Sequence, residues 1–155
     1  MHKISLSSLR RKLKGYKHTS NVLSFVRHAQ RRSDVAALIL FGSLAKEDFY
    51  EHSDADVCLI LKQPAVHPLL RDVDSFWLDT PPGIIELHIY GSQQFTRMIR
   101  QANGLALEVM HQGIALGGDE PYLAEIQRLF EKTRRQLGIV PVENGWLVGH
   151  KENLL

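Results

Sequence analysis

One cysteine, Cys58, in 155 residues excludes an internal disulfide and fits a reducing cytoplasm, which is the expected location. No run approaches the ~18 consecutive apolar residues of a membrane span, so no membrane association is expected. The basic N-terminus is not followed by the uninterrupted apolar segment of a secretory signal. Acidic residues are missing from residues 1–33, which carry nine Lys and Arg. Internal repeats, low-complexity segments and an interdomain linker are also lacking. Residues 1–155 therefore read as one domain, with basic N-terminal helices at 1–33, a core at 34–138 and a tail at 139–155.

What is present is ordinary globular material, 44% apolar and 23% charged. The net charge of +2 conceals an asymmetry, because all residues after 33 together carry a net of −7. A basic N-terminal face attracts phosphates or nucleic acid, although a solvated helix surface has the same composition.

Periodicity orders the elements. Ile4, Leu6, Leu9, Leu13 and Tyr16 follow helical spacing, and Ser20 is an apt N-cap for a second helix carrying Val22, Phe25, Val26 and Ala29 on one stripe. Val35 to Phe41 is a short, wholly apolar run bounded by breakers, which predicts a buried strand. Gly42-Ser43 turns the chain, and Leu44 to about Phe49 forms a short helix. Asp54 to Leu61 reads as a second strand. Pro68 opens a helix over Leu69 to Leu78, stopped by Pro81-Pro82-Gly83. Ile84 to Tyr90 alternates cleanly as a third strand. Ser92 caps one long helix through Val109, and Pro121 opens a last one that closes at Gly138. Asn144-Gly145 between short apolar runs suggests a hairpin or an arm. The fold class is α+β: a small mixed sheet of at least three strands covered by helices.

Chemistry concentrates where these strands begin and end. Residues i and i+2 of a strand share a face, so Asp54 and Asp56 stand side by side and repel unless a cation lies between them. Glu86, on the next strand, can fall beside them. Three carboxylates suit Mg²⁺, and two such ions clamp the attacking and leaving oxygens of a phosphoryl displacement. Gly42, without a Cβ, lets the backbone approach phosphate, and Ser43 offers an N–H and a hydroxyl at a helix start. Lys46, one turn on, supplies a point charge. The Walker spacing is missing. The bland alternative is an Asp pair satisfied by loop N–H groups and a Glu86 that merely faces water. His88 shares the Glu86 face, where alternation alone would also place a solvent-facing residue. Cys58 reads as a small buried side chain, Trp77 as core, and Trp146 as a partner anchor or a residue packed back on the domain.

Phe41-Gly42-Ser43, ten residues, then Asp54-Ala55-Asp56-Val57 resembles the signature of the polymerase-beta-like nucleotidyltransferase superfamily. It is most similar to the small prokaryotic minimal nucleotidyltransferases. The resemblance is close over 38–61 and looser over about 20–137. It implies transfer of a nucleoside monophosphate from an NTP, ATP foremost, to a hydroxyl acceptor with release of pyrophosphate. Asp54, Asp56 and Glu86 would be catalytic and hold two Mg²⁺ ions, with Mn²⁺ able to substitute, while Gly42, Ser43 and Lys46 bind the nucleotide. Some such proteins pair as antitoxins with HEPN proteins, so the alternative is an antitoxin-like or regulatory module acting on a HEPN-type partner. A homo-oligomer and nucleic-acid binding through the basic helices are further expectations. Two departures stand out. The family pattern after Gly-Ser is commonly Arg-x-Arg-Gly, where this chain has Leu44-Ala45-Lys46-Glu47. The third acid is commonly Asp, where this chain offers Glu86.

Overall fold

The computed structural model describes residues 1–62 and 83–149. The predicted helix over Leu69 to Leu78, with Trp77, lies outside the described residues. Strand β1 (Val35–Phe41) is buried along its whole length, as its unbroken apolar run requires. It occupies the middle of a four-stranded sheet with β2 (Ala55–Leu61), β3 (Ile85–Gly91) and β4 (Ile114–Gly118). The order is β3-β2-β1-β4. β1 runs antiparallel to β2 and β4, and β2 runs parallel to β3, which makes the sheet mixed.

Each face of the sheet is covered by helices. Leu38, Leu40, Val57 and Leu59 point to one side, against Leu9 and Leu13 around helix α1 (Leu6–Lys12) and Val22, Phe25 and Val26 of α2 (Thr19–Gln30). Ile39, Phe41, Cys58 and Ile60 point to the other. There they meet Phe95 and Ile99 of α4 (Ser92–Arg100), Leu107 and Val109 of α5 (Gly104–Gln112), and Leu123, Ile126 and Phe130 of α6 (Glu120–Leu137). Cys58 is fully buried, and burial pushes its thiol well above the usual range. Between β1 and β2 lies the short helix α3 (Gly42–Lys46).

The structure departs from the expectations in several places, among them α3, which covers Gly42–Lys46 where Leu44 to about Phe49 was expected, and α4, whose cap residue is Gly91 and not Ser92. α2 starts at Thr19 with His18 as its cap residue, two residues before the expected Ser20. The Thr19 hydroxyl donates to the carbonyls of Leu13 and Tyr16 and so ties the helix start to the preceding turn. β2 starts at Ala55, leaving Asp54 just outside the strand. The single helix expected after Ser92 is two helices. Ala102 takes a left-handed φ of 52°, and Asn103 Oδ1 accepts from the N–H groups of Leu105 and Ala106 to cap α5. β4 was not foreseen, since Gly113, Gly117 and Gly118 are breakers on local grounds. Gly118, at φ +120°, instead lies so close to the backbone of Ala36 and Ala37 that any side chain would collide with it.

The tail forms the hairpin β5 (Ile139–Val142) and β6 (Gly145–Val148), turning at Glu143-Asn144, one residue before the expected Asn144-Gly145. Gly138 ends α6 at φ 59° in the left-handed conformation that a helix C-terminus favours. No helix among the described residues is long and apolar enough to cross a membrane.

Candidate active site

Strand register assembles the centre of the site. Phe41 pairs with Asp56 across β1 and β2, and Asp56 pairs with Glu86 across β2 and β3. The end of β1 and the starts of β2 and β3 therefore share one edge of the sheet. Gly42, Asp56 and Glu86 form a row along it. Asp56 lies on the same face as Cys58 and Ile60, at the rim of the core packed under α4, α5 and α6.

Gly42 makes that row possible. It has φ +72°, and a Cβ there would strike the Asp56 carboxylate. The half-buried Asp56 pays for its position: desolvation raises its carboxyl above the usual range. The neighbouring charge of Glu86 raises it further, His88 opposes, and Glu108 and Asp54 add smaller upward contributions. Burial and like charge together make this carboxylate short of a cation.

Donor atoms of Asp56, Glu86 and His88 all lie within 4.8 Å of one another. His88 Nε2 is 3.5 Å from Glu86 Oε1, and the imidazole packs on the Phe41 ring with centroids 5.3 Å apart. The group suits a divalent cation, with two carboxylate ligands and an imidazole. Of the three expected carboxylates, the fold brings Asp56 and Glu86 together. Asp54, exposed and one residue before β2, lies outside that tight group.

Asp54 is nonetheless held near by its own scaffold. Tyr16 donates its hydroxyl to the Ser53 carbonyl at 2.6 Å, and burial followed by the Asp54 charge pushes that phenol upward. The Tyr50 N–H donates to Ser53 Oγ, and the Ser53 N–H donates back to the Tyr50 carbonyl. This turn sets the entry to β2, which the Ala55 N–H pins to the Ile84 carbonyl.

Ser43 and Lys46 sit on α3, directly after Gly42. Lys46 is exposed and lines a cavity of about 410 Å³ together with Glu108, His111 and Gln112 of α5 and Trp146 of the hairpin. Trp146 packs edge-on to His111, so it folds back on the domain. Glu47, directly after α3, turns toward α1 and pairs with Lys12 at 3.5 Å. It also ends α3 in the left-handed conformation, at φ 61°.

Two residues near the carboxylates lay outside the expected set. His88 had a signal, because strand alternation put it on the Glu86 face. Glu108 had none, since only the packing of α5 onto the sheet brings its charge near Asp56.

Solved structures that resemble the chain do so distantly. They include a toxin–antitoxin with AMP-PNP, at 15% identity and TM-score 0.44 over 77% of this chain and 91% of that one. Another is the tri-AMPylated Shewanella oneidensis HEPN toxin in complex with MNT antitoxin, at 13% identity and TM-score 0.42 over 77% and 88%. A third is the toxin–antitoxin MntA–HepT, at 12% identity and TM-score 0.40 over 77% and 89%. No curated protein matches significantly. The family model described as polymerase beta, nucleotidyltransferase, matches residues 25–116, which span β1, Gly42-Ser43, both aspartates, Glu86 and His88. With more than half of its length so matched, the chain belongs to the polymerase beta nucleotidyltransferase family.

Proposed function

We propose that the protein transfers a nucleoside monophosphate, from ATP in preference to other NTPs, to a hydroxyl acceptor with release of pyrophosphate, and that residues 1–155 act as one catalytic domain. The observation that carries this reading is the contact of Asp56 with Gly42 beside Glu86. It joins the Gly42-Ser43 turn with carboxylates that need a cation.

In this reading Asp54, Asp56 and Glu86 hold the metal, Mg²⁺ or Mn²⁺, which when bound would neutralise phosphate charge and polarise the acceptor oxygen. The turn at Gly42 and Ser43 receives the triphosphate, and Lys46 reaches its outer phosphates from the cavity wall. The acceptor oxygen attacks the α-phosphorus, the bond from that phosphorus to the bridging oxygen breaks, and pyrophosphate leaves. Glu86, exposed at the sheet edge, accepts the acceptor proton in this reading. The electrostatic work therefore falls on carboxylates of which strand register fixes Asp56 and Glu86, while the turn through Ser53 holds Asp54 at the entry to β2.

The experiment is metal-dependent nucleotide binding and transfer of label from α-labelled ATP. Asp56→Ala and Asp54→Ala should each lower transfer by roughly 10²-fold or more while the fold is retained. Unchanged binding and transfer in both variants would end the reading.

A second reading, an antitoxin-like module with a HEPN-type partner, has one observation in its favour. The outer face of the hairpin leaves Val140, Val142 and Leu147 at least half exposed. Apolar strand residues left in water mark a surface that a partner or a second copy can cover. Label transfer to such a partner would join the two readings, and co-purification without transfer would favour the module alone.

A further inference from the structure

We infer that His88 is a metal ligand together with Asp56 and Glu86, so that the site selects a first-row transition ion over Mg²⁺. The inference rests on the divalent-metal reading above and specifies which ion that site takes.

The geometry comes first. Two ligand atoms on one ion at 2.0–2.2 Å are at most about 4.4 Å apart, and adjacent tetrahedral ligands are about 3.4 Å apart. The three donors lie within 4.8 Å of one another, and His88 Nε2 is 3.5 Å from Glu86 Oε1. Only small side-chain adjustments separate this arrangement from a shared ion.

The donors are also held by rigid elements. Asp56 and Glu86 are direct partners in the parallel ladder, and His88 pairs with Cys58 two residues further along the same strands. All three therefore come from two adjacent strands in fixed register. The His88 side chain is only 22% exposed and rests on the Phe41 ring, which limits where its Nε2 can point. A histidine that merely faced solvent would not need that platform.

Chemistry then discriminates between ions. Mg²⁺ takes hard oxygen ligands and keeps its waters, whereas imidazole is a ligand for transition metals. Replacing an oxygen by the His88 nitrogen gains little for Mg²⁺. For a transition ion it adds a favourable bond and raises affinity. The carboxylates keep the site anionic enough for either ion, so the nitrogen is what separates them.

The test uses Mn²⁺ alone as the paramagnetic probe on the full chain, with Mg²⁺ as competitor. Pulsed EPR should show coupling from one imidazole nitrogen in the wild type, and selective ¹⁵N-histidine labelling should change its frequency. His88→Gln keeps a polar side chain of similar size but no ring nitrogen. It should abolish that coupling and narrow the Mn²⁺ to Mg²⁺ affinity ratio by about tenfold, because Mn²⁺ binding weakens and Mg²⁺ binding does not. The wild-type spectrum reads the ligand directly, so the result does not depend on the variant folding well. Absence of nitrogen coupling, or an unchanged ratio in His88→Gln, would overturn the inference. If Asp56→Asn still removes the bound ion in that case, the divalent-metal reading stands. If Mn²⁺ fails to bind, or binds without regard to Asp56, both readings fall.

Discussion

The Asp56 carboxylate lies directly against the backbone of Gly42, in the space that a Cβ at position 42 would occupy. The sequence reading assigns Gly42 to phosphate approach. The structure adds a second requirement, because the glycine also makes room for the carboxylate from the neighbouring strand. Gly42 adopts φ +72° as well, where an L-residue is strained whatever its surroundings.

Gly42→Ala should therefore destabilise the fold by about 2 kcal/mol or more, from left-handed strain and collision together. Removing the carboxylate relieves only the collision. Urea unfolding of Gly42→Ala, Asp56→Ala and the double variant should then show a coupling of about 1 kcal/mol. Strict additivity would show that the two residues do not press on each other.

Asp56→Asn should stabilise the metal-free protein near neutral pH while abolishing nucleotidyl transfer. The Asp56 carboxyl is raised, by burial first and Glu86 next. The native state therefore keeps this proton to higher pH than the unfolded chain does. Stability from this group is present at acid pH and is lost as pH rises through the raised value. Thermal melting of both proteins from pH 4 to 8 should show the advantage of Asp56→Asn growing with pH.

Asp34 should act with the opposite sign. Arg32 donates to both of its oxygens, Nε to Oδ1 at 2.9 Å and Nη2 to Oδ2 at 2.6 Å, and this hydrogen bonding holds the carboxyl below the usual range. Its contribution is present above the ordinary carboxylate range and is lost as pH falls through the lowered value. Asp34→Asn should accordingly melt lower than wild type at pH 7, with the difference shrinking under strong acid.

Glu47→Gly should stabilise the protein by up to about 1 kcal/mol, read from the shift in unfolding midpoint. Glu47 holds a left-handed φ of 61° at the end of α3, where the family pattern commonly has Gly. Its ion pair with Lys12 is exposed and therefore contributes little. A loss of stability would mean that the pair outweighs the backbone strain.

Lys46→Ala should weaken ATP binding about tenfold, the scale of one charge-assisted hydrogen bond, with little change in folding stability because the side chain is exposed. Calorimetric titration with ATP and metal would measure it. An unaltered affinity would remove Lys46 from the nucleotide site.

Local pattern was enough to read much of this protein from the chain alone. The short apolar run at Val35–Phe41, bounded by breakers, read as a buried strand, and the alternation after Ile84 read as another strand, as both are in the structure. Gly42-Ser43 at the end of β1 and Asp56 at the start of β2 were legible from spacing, whereas Asp54, expected beside Asp56 on the strand face, falls just outside β2. What sequence did not reveal depended on partners distant in the chain. β4 was hidden because Gly118 is required by the backbone of Ala36 and Ala37 lying against it, and no local rule reports that contact. The break between α4 and α5 turned on a left-handed Ala102, an unusual conformation for alanine. The site divided in the same way. Its carboxylates were nameable from sequence, but the pairing of Asp56 with Glu86, the place of Asp54 outside the tight group and the approach of His88 were decided by strand register. Register is a property of packed strands, set when the buried faces of β1, β2 and β3 find their common core.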